Sequence, residues 1–178
     1  MNFPTRKPTR LSNYNYSTPG FYFITICSHN KQLLFGAIKK AVDAVPAQMQ
    51  FSPIGQIVYN EIQEIENHYT NVKVLKFVVM PNHVHIILQI QLPVSSYGTD
   101  KSVPYSISSV VGQMKAASSR KSRHQRLLSE NQQLWQKSFH DHIIRGESDY
   151  LKIWKYIDEN PSKWALDCFY PSEAVCQE

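Results

Sequence analysis

Nowhere does this 178-residue chain keep an apolar run of the about 18 residues that a membrane-crossing helix requires, so no membrane partner is expected. Cysteine is scarce. Cys27, Cys168 and Cys176 are an odd number without paired spacing, which argues against a disulfide framework or a thiolate metal cluster and for reduced thiols in the cytoplasm. The opening residues carry Pro4, Pro8, Arg6, Lys7 and Arg10 but no apolar core, so no secretory leader is expected. Acidic residues are outnumbered, 14 against 19 basic, and the resulting charge of +5 suits a polyanionic partner without identifying one. An apolar share of 42% is enough for one core, and the length fits one domain with small appendages.

What is present centres on Val78-Val79-Met80-Pro81-Asn82-His83-Val84-His85-Ile86-Ile87-Leu88. Two β-branched runs flank a Pro-Asn turn and read as a hairpin. Strand alternation then puts Val84, Ile86, Leu88 and Ile90 on one face and His83, His85, Gln89 and Gln91 on the other, where Ile87 alone breaks the polar pattern. Two imidazoles pointing the same way on a rigid strand form half of a metal site. The same spacing also occurs on ordinary solvated strands, but here the flanking strands are so apolar that a polar pair needs a reason.

Along the chain, residues 1–19 read as a basic irregular arm in which Arg6, Lys7 and Arg10 suit either a phosphate backbone or plain solvent. Phe21 to Cys27 is an aromatic, β-branched strand, and residues 36–52 have mixed character with brief pairing near Phe51. Ser52 and Pro53 are a cap and first-turn proline for a helix over 53–68. Strands follow over 72–79 and 83–91, then a polar loop over 93–105 and a helix over 106–121. That helix ends among Lys115, Arg120, Lys121, Arg123 and Arg126, beside Ser118, Ser119 and Ser122. These cations suit a helix C-terminus and a DNA backbone about equally. A fourth strand is expected over 134–145, with His140 and His142 on one face, before a last helix that Pro161 stops. The order β-α-β-β-α-β-α predicts an α+β, ferredoxin-like antiparallel sheet covered on one face by two helices, with the extra helix free to lie on the other.

In the last helix Tyr150, Ile153, Trp154 and Ile157 form the apolar stripe, and Tyr156 lies on its flank with Lys152 and Asn160 one turn to either side. Spacing alone fits a rim tyrosine, ring on the core and hydroxyl in water.

Three separated blocks change that reading. Asn13 to Cys27, Met80-Pro-Asn-His-Val-His85 and Tyr156-Ile-Asp-Glu-Asn160-Pro161 together resemble the IS200-like single-strand DNA transposases, and most closely their REP-associated tyrosine transposase branch. The resemblance implies that His83 and His85 are the histidine–hydrophobic–histidine (HUH) metal pair, that Asn160 is the third ligand, and that Tyr156 is the nucleophile. It implies a divalent metal, Mg²⁺ or Mn²⁺, a 5′-phosphotyrosine intermediate, and single-stranded DNA with hairpin structure as partner. Lys152, Arg120, Lys121, Arg123, Arg6, Lys7 and Arg10 are the expected DNA contacts. On this reading residues 20–165 are one catalytic domain, 166–178 a C-terminal tail, and the protein a monomer or homodimer associated with the cytoplasmic nucleoid. Two rivals stay open: a DNA-binding protein of the same fold that does not cut, and a metal-dependent nuclease using water.

Overall fold

A computed structural model describes residues 15–39, 46–92 and 105–171. Strand β1 (Gly20–Cys27) leads through a short turn into a hairpin of β2 (Gly36–Lys39) and β3 (Gln48–Phe51). Next come α1 (Pro53–Gln63), α2 (Ile65–His68), β4 (Val72–Val79) and β5 (His83–Ile90). The chain closes with α3 (Ile107–His124), β6 (His140–Ile144) and α4 (Glu147–Glu159). The main sheet runs β4-β5-β1-β6, and every pairing is antiparallel. This is the ferredoxin-like order expected from the sequence.

Alternation along the strands divides the core in two. Tyr22, Ile24, Val84, Ile86 and Leu88 face α1 and α3 in the larger cluster. On the other face Ile87 and Ile144 pack under Ile157 of α4, flanked by Phe23, Ile153 and Trp154. Ile87, the apolar exception on the histidine side of β5, is therefore the seat of the last helix. Lys76 fastens the same helix from β4, pairing with Asp158 at 2.5 Å while its ammonium stands 4.1 Å from the centre of the Trp154 ring.

Several expected boundaries shift. Ser52 does cap α1, accepting from the amide of Gly55, but the helix breaks at Glu64, and Glu66 of α2 then reaches Lys73 and the Val74 amide. β6 starts at His140 rather than 134. Residues 134–136 are instead tied to the end of β1 by a bridge from Trp135 to Ser28 and by the Gln136 amide bonding the Cys27 carbonyl. α3 runs to His124 because its C-terminal half is packed. Ser118 and Ser122 are fully buried, and the Trp135 indole donates to the Ser118 hydroxyl, so these two serines face the core and not a DNA strand. Gly36–Lys39 pairs along its full length with Gln48–Phe51, beyond the brief pairing expected. Most of the 93–105 loop and the arm residues Arg6, Lys7 and Arg10 lie outside the described residues. No described helix is long and apolar enough to cross a membrane.

Candidate active site

β5 carries both histidines onto the sheet face that α4 covers. Their rings lie 4.5 Å apart, and both are almost wholly buried. The Met80–Asn82 turn that delivers them is fixed by its neighbours: the Ser28 amide bonds the Asn82 carbonyl and the Phe35 amide the Pro81 carbonyl.

Hydrogen bonds orient both rings and, for His83, decide which ring nitrogen is available. The Asn82 amide nitrogen donates to the carbonyls of Lys31 and Phe169, so its oxygen meets Nδ1 of His83 at 2.9 Å. Nδ1 must therefore donate, and Nε2 keeps its lone pair. Nε2 of His83 has no hydrogen-bond partner among the described residues. Thr25, opposite His85 across β1, holds Nδ1 of that ring at 2.8 Å. Phe23 stacks on the His85 ring at 5.2 Å. Burial pushes the pKa of each imidazole down to about 3; beside it, the Lys31 cation acts on His83 and His83 acts on His85. Both rings are thus neutral at physiological pH, the form that binds a metal.

α4 brings Tyr156 over this pair. Its hydroxyl stands 3.2 Å from Nε2 of His85, and its ring meets Phe23 edge-on at 6.2 Å. Burial, then the Asp167 carboxylate, hold the phenol above its ordinary pKa, while the Asn160 amide draws it down. Asn160 is 2% exposed, and its Oδ1 has no partner among the described residues.

Asp167 was not singled out in the sequence. After α4 the chain makes a 3-10 turn at Trp164–Leu166 and folds back, so that residues read as tail close the site. The Phe169 ring lies tilted against His83 with centres 4.5 Å apart, and the Asp167 carboxylate lies 4.0 Å from Nε2 of that ring, its side chain 4% exposed. With the imidazole neutral this is no ion pair. His83, His85 and Asp167 instead offer donor atoms within 4.8 Å of one another. Donors on opposite sides of one cation stand about 4 Å apart when each metal–ligand bond is about 2.1 Å, so the group is nearly closed around a cation-sized space.

Residues 22–160 match the family model described as "Transposase IS200 like". The chain belongs to the IS200-like transposase family. That family consists of enzymes that cut and join DNA. The matched span holds both histidines, Tyr156 and Asn160, and stops short of Asp167. An uncharacterised protein of Haemophilus influenzae is 37% identical over 176 residues, covering 93% of each chain. A solved REP-associated tyrosine transposase bound to a REP hairpin is 21% identical with a TM-score of 0.55, over 88% of this chain and 76% of that one, a likeness of fold. A putative transposase from Deinococcus radiodurans R1 aligns at 19% identity and TM-score 0.45, over 84% of this chain and 95% of that one.

Around the candidate site the cations sort differently from their sequence pattern. Lys152 is exposed on α4, one turn before Tyr156. Arg120, Lys121 and Arg123 lie on α3, which packs on the face away from the histidines. Lys121 is paired with Glu61, and Arg123 donates to the Gln132 carbonyl, whereas Arg120 is exposed. Lys31, not among the cations expected from the sequence, also lies beside the site, 5.0 Å from the Phe169 ring centre.

Proposed function

We propose that this transposase cuts and rejoins single-stranded DNA beside hairpins, with Tyr156 as nucleophile and a divalent cation, Mg²⁺ or Mn²⁺, as cofactor. The observation that carries the reading is the Tyr156 hydroxyl resting 3.2 Å from Nε2 of His85. The donor set fits a cation: Nε2 of His83 and Oδ1 of Asn160 are buried and have no partner among the described residues, and a carboxylate and two neutral imidazoles converge. His83, His85 and Asp167 would hold the ion, with Asn160 as a further oxygen ligand. Mixed nitrogen and oxygen donors suit Mn²⁺ and Mg²⁺. Bound there, the ion would supply Lewis-acid polarisation of a phosphate.

The chain's own residues do the rest. Asn82 holds His83 in the tautomer that keeps the Nε2 lone pair free, and Thr25 orients the His85 ring so that its Nε2 turns toward Tyr156. Phe23 and Phe169 keep water from the pair. The Tyr156 oxygen attacks phosphorus in line, and the bond from phosphorus to the 3′ oxygen breaks. The phenol gives its proton to solvent and the departing 3′ oxygen takes one up, leaving a 5′-phosphotyrosine and a 3′-hydroxyl. The phosphodiester bond is exchanged rather than hydrolysed, so another 3′-hydroxyl reverses the step without ATP. A hairpin-bearing strand as partner is suggested by the hairpin bound in the structural neighbour. Lys152, Arg120, Arg6, Lys7 and Arg10 are proposed backbone contacts, with Lys121 and Arg123 contributing once freed from their internal partners.

The test is a labelled hairpin-bearing single strand incubated with Mn²⁺. Parent protein should give an adduct that survives denaturation, and Tyr156→Phe should give none while its stability changes by about 1 kcal/mol or less. Cleavage persisting without adduct would favour the water-using nuclease. No cleavage by the parent would favour the non-cutting DNA-binding protein.

A further inference from the structure

On the histidine face, a groove of about 740 Å³ leads from the active site across β1 toward the edge strand β6. Thr25 and Cys27 belong to its floor. Thr25 is the residue bonded to His85, and Cys27 pairs in register with His83, so the groove begins where the metal pair ends. Its walls come from the turn after β1, with His29 and Asn30, and from residues 133–140, with Gln133, Gln136 and Lys137. Among the described residues, none that lines it is acidic.

The wall is rigid. The His29 amide bonds the Leu134 carbonyl, the Gln136 amide bonds the Cys27 carbonyl, and the half-buried Lys115 ammonium donates to the carbonyls of Gln136 and Lys137. Every one of these bonds uses backbone atoms of residues 134–137. The side chains of Gln133 and Lys137 are left exposed, and that of Gln136 half-buried. A preformed groove that holds amides and, among the described residues, an exposed lysine with no acidic side chain opposite is built for a polyanion that also carries hydrogen-bonding edges. Amide side chains meet base edges with paired donors and acceptors, and a lysine meets a phosphate as a point charge.

We infer that this groove is the subsite for the single-stranded nucleotides next to the scissile phosphate, with Gln133 and Gln136 reading base edges and Lys137 holding the backbone. A duplex is disfavoured because its base edges are already paired. The inference rests on the proposed single-strand activity, but its test does not depend on cleavage.

In a Tyr156→Phe background, which binds without forming an adduct, fluorescence anisotropy compares a hairpin alone with the same hairpin carrying single-stranded tails of varied sequence. The tail should tighten binding, and the best tail should beat the worst by roughly five- to hundredfold. Gln133→Ala/Gln136→Ala should flatten that preference. Lys137→Ala should weaken all tails alike and reduce the log–log salt slope by about 0.7. Lys137→Glu, on an exposed position that leaves the fold intact, should abolish the tail's gain. A tail that adds nothing in the starting protein, or a gain and preference unchanged in these variants, overturns the inference. Adduct formation by the otherwise unaltered chain separates the two readings. Adduct lost with the tail's gain retained sinks the catalytic proposal alone, and the reverse sinks the groove alone.

Discussion

His83 and His85 are the residues on which most of the proposed chemistry turns, and each is set by a neighbour that bears no charge. Asn82 directs Nδ1 of His83 and Thr25 directs Nδ1 of His85, leaving both Nε2 atoms facing the space below Tyr156 and Asp167. Partners of this kind commonly change metal affinity 10- to 100-fold when lost. Titration calorimetry with Mn²⁺ should show one bound ion in the parent, none in His83→Ala, and at least about tenfold weaker binding in Asp167→Ala. Equal heats from parent and Asp167→Ala would remove the carboxylate from the ligand set and leave Asn160 as its oxygen donor.

Among the elements, α1 matters to the site although it lies on the other face of the sheet. Its first turn is pressed against Phe35: a Cβ on Gly55 would come within 1.9 Å of the Phe35 carbonyl oxygen. The Phe35 amide in turn bonds Pro81 in the turn before His83. Gly55→Ala should therefore cost about 3 kcal/mol or more, because backbone and not a flexible side chain must yield. Gly112, in the second turn of α3, has nothing within 4 Å of such a Cβ, so Gly112→Ala should stabilise by about 0.5–1 kcal/mol through helix propensity. Urea unfolding of the two variants checks the contrast, and equal effects would show that the helix–turn contact is slack.

For the molecule as a whole, burying two neutral imidazoles links stability to pH. The unfolded chain takes up protons on these histidines near pH 6.5, but the folded chain does so only near pH 3. Their folded pKa values are depressed, so their contribution is complete above 6.5 and declines as pH falls toward 3, by at most about 1.4 kcal/mol per pH unit for each ring. The melting temperature should therefore drop between pH 6.5 and 5, before most carboxylates titrate. Mn²⁺ affinity should change little over that range as far as the imidazoles are concerned, since both are already neutral. A melting temperature that stays level from pH 7.5 to 5 would contradict the buried, neutral pair.

Periodicity is local, and what it governs was readable from the chain. The alternation in β5 placed both histidines on one face. Ser52 and Pro53 marked the start of α1, and the spacing of Tyr150, Ile153, Trp154 and Ile157 marked the buried stripe of α4 that leaves Tyr156 on its flank. The strand and helix order was enough for the ferredoxin-like sheet. Asp167 follows no period and lies beyond the residues the family model matches, so only the chain folding back after α4 brings its carboxylate to His83. Thr25 meets His85 through a register set sixty residues away, and Lys121 is engaged by Glu61 across two helices. Such pairings depend on how whole elements dock, and docking is decided by the shape of the two apolar clusters rather than by any spacing within one segment.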